Sequence, residues 1–213
     1  MNELTEGLWR WTARHPEWHP GQWGSEVACF AVDAGDVMLL IDPLVDAPDQ
    51  LDAIVNKPVA ILITIPYHAR SAETLSEHYD ATIYGHKAVT NRLESAKRFK
   101  EIDGELPGGA RAYPIGKPRR HEMPIHLPSH KALAFGDAFV TTLEGDLRIW
   151  HWRDRLDADR IRWYRERFNP TIEPLLELDL ERILVTHGPP ILSYGSAALH
   201  AAVDAEPWYS AGS

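Results

Sequence analysis

Residues 59–75 read VAILITIPYHARSAETL and combine a buried strand, a short turn and the start of a helix. The run 59–65 is almost continuously apolar and rich in β-branched residues, which is typical of a strand buried on both faces. Ser71 is a favourable N-cap residue, and Leu75 follows at helical spacing. The turn between strand and helix contains His68, at the strand end where layered α/β folds commonly bind ligands.

Hairpins and strand–helix units both occur outward from this segment. Apolar runs at 27–32 and 37–41 flank the turn residues 33–36, which predicts one hairpin. The runs 125–127 and 132–135 predict a second hairpin. Helices are predicted around residues 48–55, 71–79, 89–96, 149–156, 161–168, 169–178 and 197–203, and a further strand at 183–186. This mixture favours a layered α/β fold over a purely doubly wound sheet.

Composition excludes several classes of protein. Asp and Glu total 31 against 22 Lys and Arg, and the net charge of −9 disfavours nucleic acid or an anionic membrane as the main partner. The longest apolar run, 59–65, is far shorter than the roughly 20 residues of a membrane span, and the N-terminus lacks a signal-peptide pattern. Cys29 is the only cysteine, so an intrachain disulfide is excluded. We therefore expect a cytoplasmic protein with one domain, 1–213.

Three polar residues each lie just past the end of a predicted buried strand. His68 follows the strand at 61–64, Asp137 follows 132–135, and His187 ends 183–186. Because the carboxyl ends of such strands meet at one edge, two imidazoles and a carboxylate can converge there. That set suits one divalent metal ion with open positions for water or substrate.

Four segments in order resemble the landmarks of the metallo-β-lactamase superfamily. They are residues 40–43 (LIDP), 61–64 (ILIT), 135–138 (FGDA) and 184–190 (LVTHGPP). The resemblance covers nearly the whole chain and implies the family's four-layer αββα sandwich, with its site at one edge. It also implies a hydrolase acting on a small ester, lactone or thioester. On this resemblance Asp137 matches the metal-bridging aspartate and His187 matches the last histidine ligand.

The chain departs from the family at its main metal motif, H-x-H-x-D-H, so the motif is degenerate here. Aligned without a gap, the four ligand positions fall on residues that are not the family's ligands: Ile65, Tyr67, Ala69 and Arg70. With two residues deleted before the helix, His68 instead matches the last histidine of the motif. Both alignments remain open, and a two-metal site of the family type is not expected.

Three functional hypotheses follow. In the first, His68, Asp137 and His187 bind one metal ion (zinc, iron or manganese), and Arg70 or Tyr67 stabilises the developing oxyanion of a small-molecule substrate. In the second, no metal is bound, Arg70 pairs with Asp137, and the pocket binds a small molecule or a protein partner. In the third, the same ligands bind redox-active iron.

Several of these residues also have purely structural interpretations. His68 can cap the following helix, Asp137 can serve as a turn residue, and Tyr67 can simply pack. Asp42, before Pro43, is interpreted as a strand-end turn former and left out of the site. The Arg-rich segment 148–167 is interpreted as a salt-bridged helix face or a homodimer surface. The tryptophans in the first 25 residues belong either to the core or to a flap over the pocket: Trp9, Trp11, Trp18 and Trp23.

Overall fold

The strands and helices are defined in a computed structural model that describes residues 1–15, 17–19, 24–119, 121–151 and 156–208. The strands are β1 (Asn2–Thr5), β2 (Leu8–Arg14), β3 (Glu26–Asp33), β4 (Met38–Ile41), β5 (Val59–Leu62), β6 (Thr82–Gly85), β7 (Phe99–Glu101), β8 (Arg111–Ala112), β9 (Ile125–Leu127), β10 (Ala132–Ala134), β11 (Phe139–Thr141), β12 (Leu147–Ile149) and β13 (Arg182–Leu184). The α-helices are α1 (Ala72–Tyr79), α2 (Ala158–Trp163), α3 (Glu173–Leu176) and α4 (Gly195–Asp204).

Two main sheets organise the chain. The first has seven strands in the order β1 to β7, antiparallel from β1 to β4 and parallel from β4 to β7. The second has four strands in the order β13-β10-β9-β8, and β11 pairs with β12 in a separate ribbon. Both predicted hairpins are present, as the pairs β3–β4 and β9–β10.

Successive side chains of a strand face opposite sides of the sheet, and the clusters they join define four layers. In β3, Phe30 and Val32 face the second sheet, whereas Cys29 and Ala31 face the layer of α1. The second sheet follows the same rule, since alternate residues of β10 and β13 face either the first sheet or the layer of α3 and α4. Helix, sheet, sheet and helix therefore stack in this order, and the predicted αββα sandwich is confirmed.

Three predicted helices take another form. The segment predicted at 48–55 contains only a 3₁₀ helix, Pro48–Leu51. The segment predicted at 89–96 is a 3₁₀ helix, Lys87–Arg92, which ends where Leu93 returns to an extended backbone. Within the segment predicted at 149–156, Ile149 pairs with Phe139 in the β11–β12 ribbon, and residues 152–155 lie outside the described residues. The apolar spacing there is also compatible with a strand, which is why periodicity misassigned it.

Within the described ranges, no helix is long and apolar enough to cross a bilayer. The longest, α4, has ten residues, whereas a span needs roughly 20.

Candidate functional site

Asp42 organises the loops at the carboxyl ends of β4 and β5. These strands pair in parallel, so Asp42 meets the residues that follow β5. Its carboxylate accepts hydrogen bonds from the Thr64 amide (2.8 Å), the Thr64 hydroxyl (2.5 Å) and His68 Nδ1 (2.8 Å). The side chain is 2% exposed, and its backbone has φ +47°, a left-handed conformation that Asp tolerates better than most residues.

His68 lies on a single 3₁₀ turn, Pro66–Ala69, which directly precedes α1. Because a carboxylate only accepts, His68 donates from Nδ1 to Asp42, and its Nε2 faces Asp137 Oδ1 at 3.4 Å. Burial and the Arg70 charge act to lower the pKa of His68, but the nearby carboxylates of Asp137 and Asp42 raise it above its ordinary value. The carboxylate partner thus fixes the ring and directs Nε2 toward Asp137.

Asp137 and His187 approach His68 from the second sheet, and the three residues together form a polar centre. Asp137 follows β10, His187 follows β13, and these strands pair in parallel. His187 Nε2 lies 3.6 Å from the same Oδ1 that faces His68. All three side chains are buried. The structure therefore brings His68, Asp137 and His187 to one point, although their role as ligands remains a prediction.

Their charges differ sharply. Burial opposes ionisation of Asp137, but His68, Arg119 and His187 together hold the pKa of this carboxyl far below its usual range. Burial lowers the pKa of His187 to about 4, against the opposing effect of Asp137. At neutral pH Asp137 is therefore a carboxylate and His187 is neutral, as metal ligation requires, whereas the raised pKa of His68 means that a metal ion would have to displace a proton from its ring.

The donor chemistry suits a cation. Asp137 Oδ1 is buried and accepts no hydrogen bond from the described residues, while both imidazole Nε2 atoms face it. Donors around a tetrahedral zinc lie about 3.4 Å apart, given bond lengths near 2.1 Å, so the two separations are compatible with shared ligation. In the described part of the chain, however, no group of three or more His, Cys, Asp and Glu side chains is arranged so that it could hold a metal ion.

Glu122 supports the loop that carries Asp137. Its Oε1 accepts hydrogen bonds from the Gly136 amide at 2.9 Å and the Ala138 amide at 3.1 Å. Burial and the neighbouring Asp137 charge raise the pKa of Glu122 to about 7. A Cβ on Gly136 would lie 2.7 Å from the Thr64 hydroxyl, so the two loops approach as closely as a glycine permits.

Comparison with solved structures identifies the fold, whereas comparison of the sequence alone does not. No protein-family model and no curated protein matches the sequence. Among solved structures, a metallo-β-lactamase from Pontibacter korlensis superposes with a TM-score of 0.66 and 14% identity, covering 96% of this chain and 98% of that chain. A metallo-β-lactamase superfamily protein from Sulfolobus tokodaii gives 0.64 and 14%, over 93% of this chain and 85% of that one. The flavodiiron protein from Giardia intestinalis gives 0.66 and 15%, over 95% and 58%.

The chain has the metallo-β-lactamase fold. The resemblance stated from the four ordered segments is confirmed at this level, because these neighbours span most of the chain. Identities of 14 to 15% carry the fold but no activity.

Within this fold, the predicted pair of Arg70 and Asp137 is not formed. Arg70 Nη1 donates to the Asp42 carbonyl at 3.0 Å and approaches Cys29 Sγ at 3.9 Å. Arg70 has a left-handed backbone, φ +36°, and its side chain thus contacts a residue of β3 and the residue that follows β4. Arg119 is instead the guanidinium that helps to lower the pKa of Asp137.

Tyr67 lies at the entrance to the centre. It is 46% exposed, and the guanidinium of Arg92 lies 5.9 Å from its ring. Burial of part of the ring and the Asp137 charge raise the pKa of Tyr67, whereas the Arg119 charge acts in the opposite direction. The phenol is therefore a protonated donor beside the carboxylate, which suits oxyanion stabilisation, and this role remains a prediction.

The N-terminal segment covers His187. The His15 ring stacks on His187 with ring centres 6.0 Å apart, and a Cβ on Gly24 would lie 2.9 Å from His187 Nδ1.

Of the predicted core or flap tryptophans, Trp11 is a core residue and donates to the Leu44 carbonyl at 2.8 Å. Trp9 packs against the same cluster, and Trp18 is half-buried. Trp23 lies outside the described residues.

The sequence interpretation missed Asp42, Glu122 and Arg119. Asp42 could have been found, because it directly follows a buried strand, just as His68, Asp137 and His187 do. Glu122 and Arg119 lie in a turn-rich loop with no strand to mark them. Nothing in their spacing separates them from surface charges, so no comparable signal was present.

Proposed function

We propose that this chain is a hydrolase of the metallo-β-lactamase type, acting on a small ester, lactone or thioester with one divalent metal ion. The observation that carries the proposal is the approach of two imidazole Nε2 atoms to one buried carboxylate oxygen, Asp137 Oδ1, at 3.4 and 3.6 Å. His68, Asp137 and His187 would hold the ion. The similar solved structures support the proposal, since they include a metallo-β-lactamase and a flavodiiron protein.

The chain's own residues have distinct tasks in this proposal. The Asp42 carboxylate holds the Nδ1 proton of His68, so that Nε2 is the ring nitrogen that would bind the ion, with loss of its own proton. Asp137 remains ionised, and the Tyr67 hydroxyl is available to donate to an oxyanion. Trp150 packs edge-on against His187 with ring centres 5.2 Å apart and limits the access of water. When bound, the metal supplies Lewis acidity and lowers the pKa of a coordinated water.

Metal content tests the proposal. Protein purified without added metal and treated with a chelator is titrated with Zn²⁺, Mn²⁺ or, anaerobically, Fe²⁺, and the bound metal is measured by elemental analysis. We expect one ion per chain, loss of this ion in His187→Ala, and full retention in His200→Ala, which removes an exposed imidazole of α4. Binding that is substoichiometric, or equal in both variants, would refute the one-metal hydrolase.

A second function is favoured by one observation. Arg119 is buried, and its charge stabilises the Asp137 carboxylate, so an internal cation already compensates the centre. In this case the chain is a metal-free member that binds a small molecule. This second function would be supported if the purified protein contains no stoichiometric metal and still binds a small carbonyl ligand.

A further inference from the structure

Arg119 is a buried cation with unused hydrogen-bonding capacity. Its side chain belongs to a residue that is only 7% exposed, and its Nε and Nη2 groups have no hydrogen-bond partner among the described residues. Buried guanidinium groups in folded proteins are ordinarily paired or hydrogen-bonded. The three N–H groups on these two nitrogens therefore require a partner that the rest of the described chain does not supply.

The guanidinium is held in place from several sides. It lies over the Trp150 ring, 5.1 Å from the ring centre. The Arg119 amide donates to the Gly116 carbonyl at 3.1 Å, and the Arg119 carbonyl accepts from the Glu122 amide at 2.8 Å. Met123, next in the chain, donates to the Thr64 carbonyl at 2.7 Å. A side chain fixed in this way is preorganised, so a ligand would meet the cation at little entropic cost.

The neighbourhood joins this cation to the proposed reaction centre. The Arg119 charge acts to lower the pKa of both Asp137 and Tyr67, and the ring centres of Tyr67 and His68 lie 6.2 Å apart. Trp150, over which the Arg119 guanidinium lies, also contacts His187. A group bound between Arg119 and Tyr67 would thus lie beside Asp137.

We propose that Arg119 and Tyr67 form a subsite for a carboxylate group of the substrate. This inference rests on the proposed function and names its substrate class as a small ester, lactone or thioester that also carries a carboxylate. A guanidinium presents paired N–H donors that match a carboxylate, and the phenol adds a third donor. The nearby Asp137 and Glu122 carboxyls favour a singly charged anion over a phosphate dianion, which they would repel.

The test compares two esters that differ in one carboxylate. Monomethyl succinate, dimethyl succinate and inorganic phosphate are titrated into ¹⁵N-labelled protein in the presence of a chelator, and affinities are read from amide and arginine Nε–H shifts. We expect the monoester to bind about tenfold more tightly than the diester or phosphate. Arg119→Gln should abolish this preference, Tyr67→Phe should reduce it severalfold, and Arg162→Gln, an exposed arginine of α2, should leave it unchanged.

Equal affinity of the wild-type protein for the two esters would overturn the subsite, whatever the variants do. It would mean that internal water satisfies the Arg119 N–H groups. An unchanged preference in Arg119→Gln would overturn it as well. If that variant does not fold, Tyr67→Phe decides, because an exposed phenol can be changed without loss of the core. The chelator removes metal from all arms, so the result is independent of whether the one-metal proposal holds.

Discussion

Replacing Asp42 by Asn distinguishes two possible roles of Asp42, a residue that only forms a turn and a buried acceptor of several hydrogen bonds. The Asp42 carboxylate accepts three hydrogen bonds in a buried position, two from Thr64 and one from His68. Asn retains one accepting oxygen and tolerates the left-handed backbone at φ +47°. Its amide group, however, is a donor directed at groups that also donate. A turn former would accept this change, whereas the observed hydrogen-bonding centre should not.

The expected loss in the free energy of unfolding follows from the hydrogen bonds that Asp42 accepts. A buried donor left without an acceptor costs about 1–3 kcal/mol. Asn leaves one or two such donors, so we expect Asp42→Asn to lower the free energy of unfolding by about 2 kcal/mol, and Asp42→Ala, which leaves three, by about 4 kcal/mol. If the one-metal proposal holds, Asp42→Asn also loses the group that orients His68, and metal affinity should fall roughly 10- to 100-fold.

Urea unfolding followed by tryptophan fluorescence measures the first effect, and metal titration measures the second. Asp36→Asn is the matched control, because Asp36 is exposed in the turn between β3 and β4, and we expect a change within about 0.5 kcal/mol. If Asp42→Asn is as stable as this control, Asp42 is only a turn residue. The account of how His68 is oriented would then be wrong.

Two further predictions concern the loops around the centre. Gly188 has φ +95°, and a Cβ there would lie 2.2 Å from the Thr141 carbonyl, so Gly188→Ala should lower the free energy of unfolding by about 3 kcal/mol. Gly145→Ala, at φ +93° with nothing within 4 Å, should cost only about 1 kcal/mol in the same urea titration, and equal costs would contradict the clash. Glu122 has its pKa raised from 4.5 to about 7, so the folded chain holds this proton more tightly than the unfolded chain, and the stability that Glu122 contributes decreases as pH rises through that window. Relative to wild type, Glu122→Gln should gain stability between pH 4.5 and 7 in unfolding titrations, and a constant difference between the two proteins would contradict the raised pKa.

The sequence predicted the parts of the site that follow strands. His68, Asp137 and His187 each end a run of buried apolar residues, and parallel pairing of β4 with β5 and of β10 with β13 brings such ends together. The order of strands and helices in the sequence was therefore sufficient to predict the layered fold and the approach of these three residues. It was not sufficient to predict which charged groups surround Asp137, because Arg119 and Glu122 come from an irregular loop. Their contacts depend on tertiary packing that no local period encodes.

Packing accounts for two of the positions at which this chain departs from the H-x-H-x-D-H motif. Of the four positions that the ungapped alignment assigns to ligands, Ile65 is 1% exposed, and Ala69 packs in the cluster that joins the first sheet to α1. Both side chains are thus core residues in this chain, and the segment Pro66–Ala69 forms a 3₁₀ turn in which His68 Nε2 lies 3.4 Å from Asp137 Oδ1. Ile65→His would bury a polar ring in an apolar environment, so a histidine at this position of the motif is disfavoured by packing.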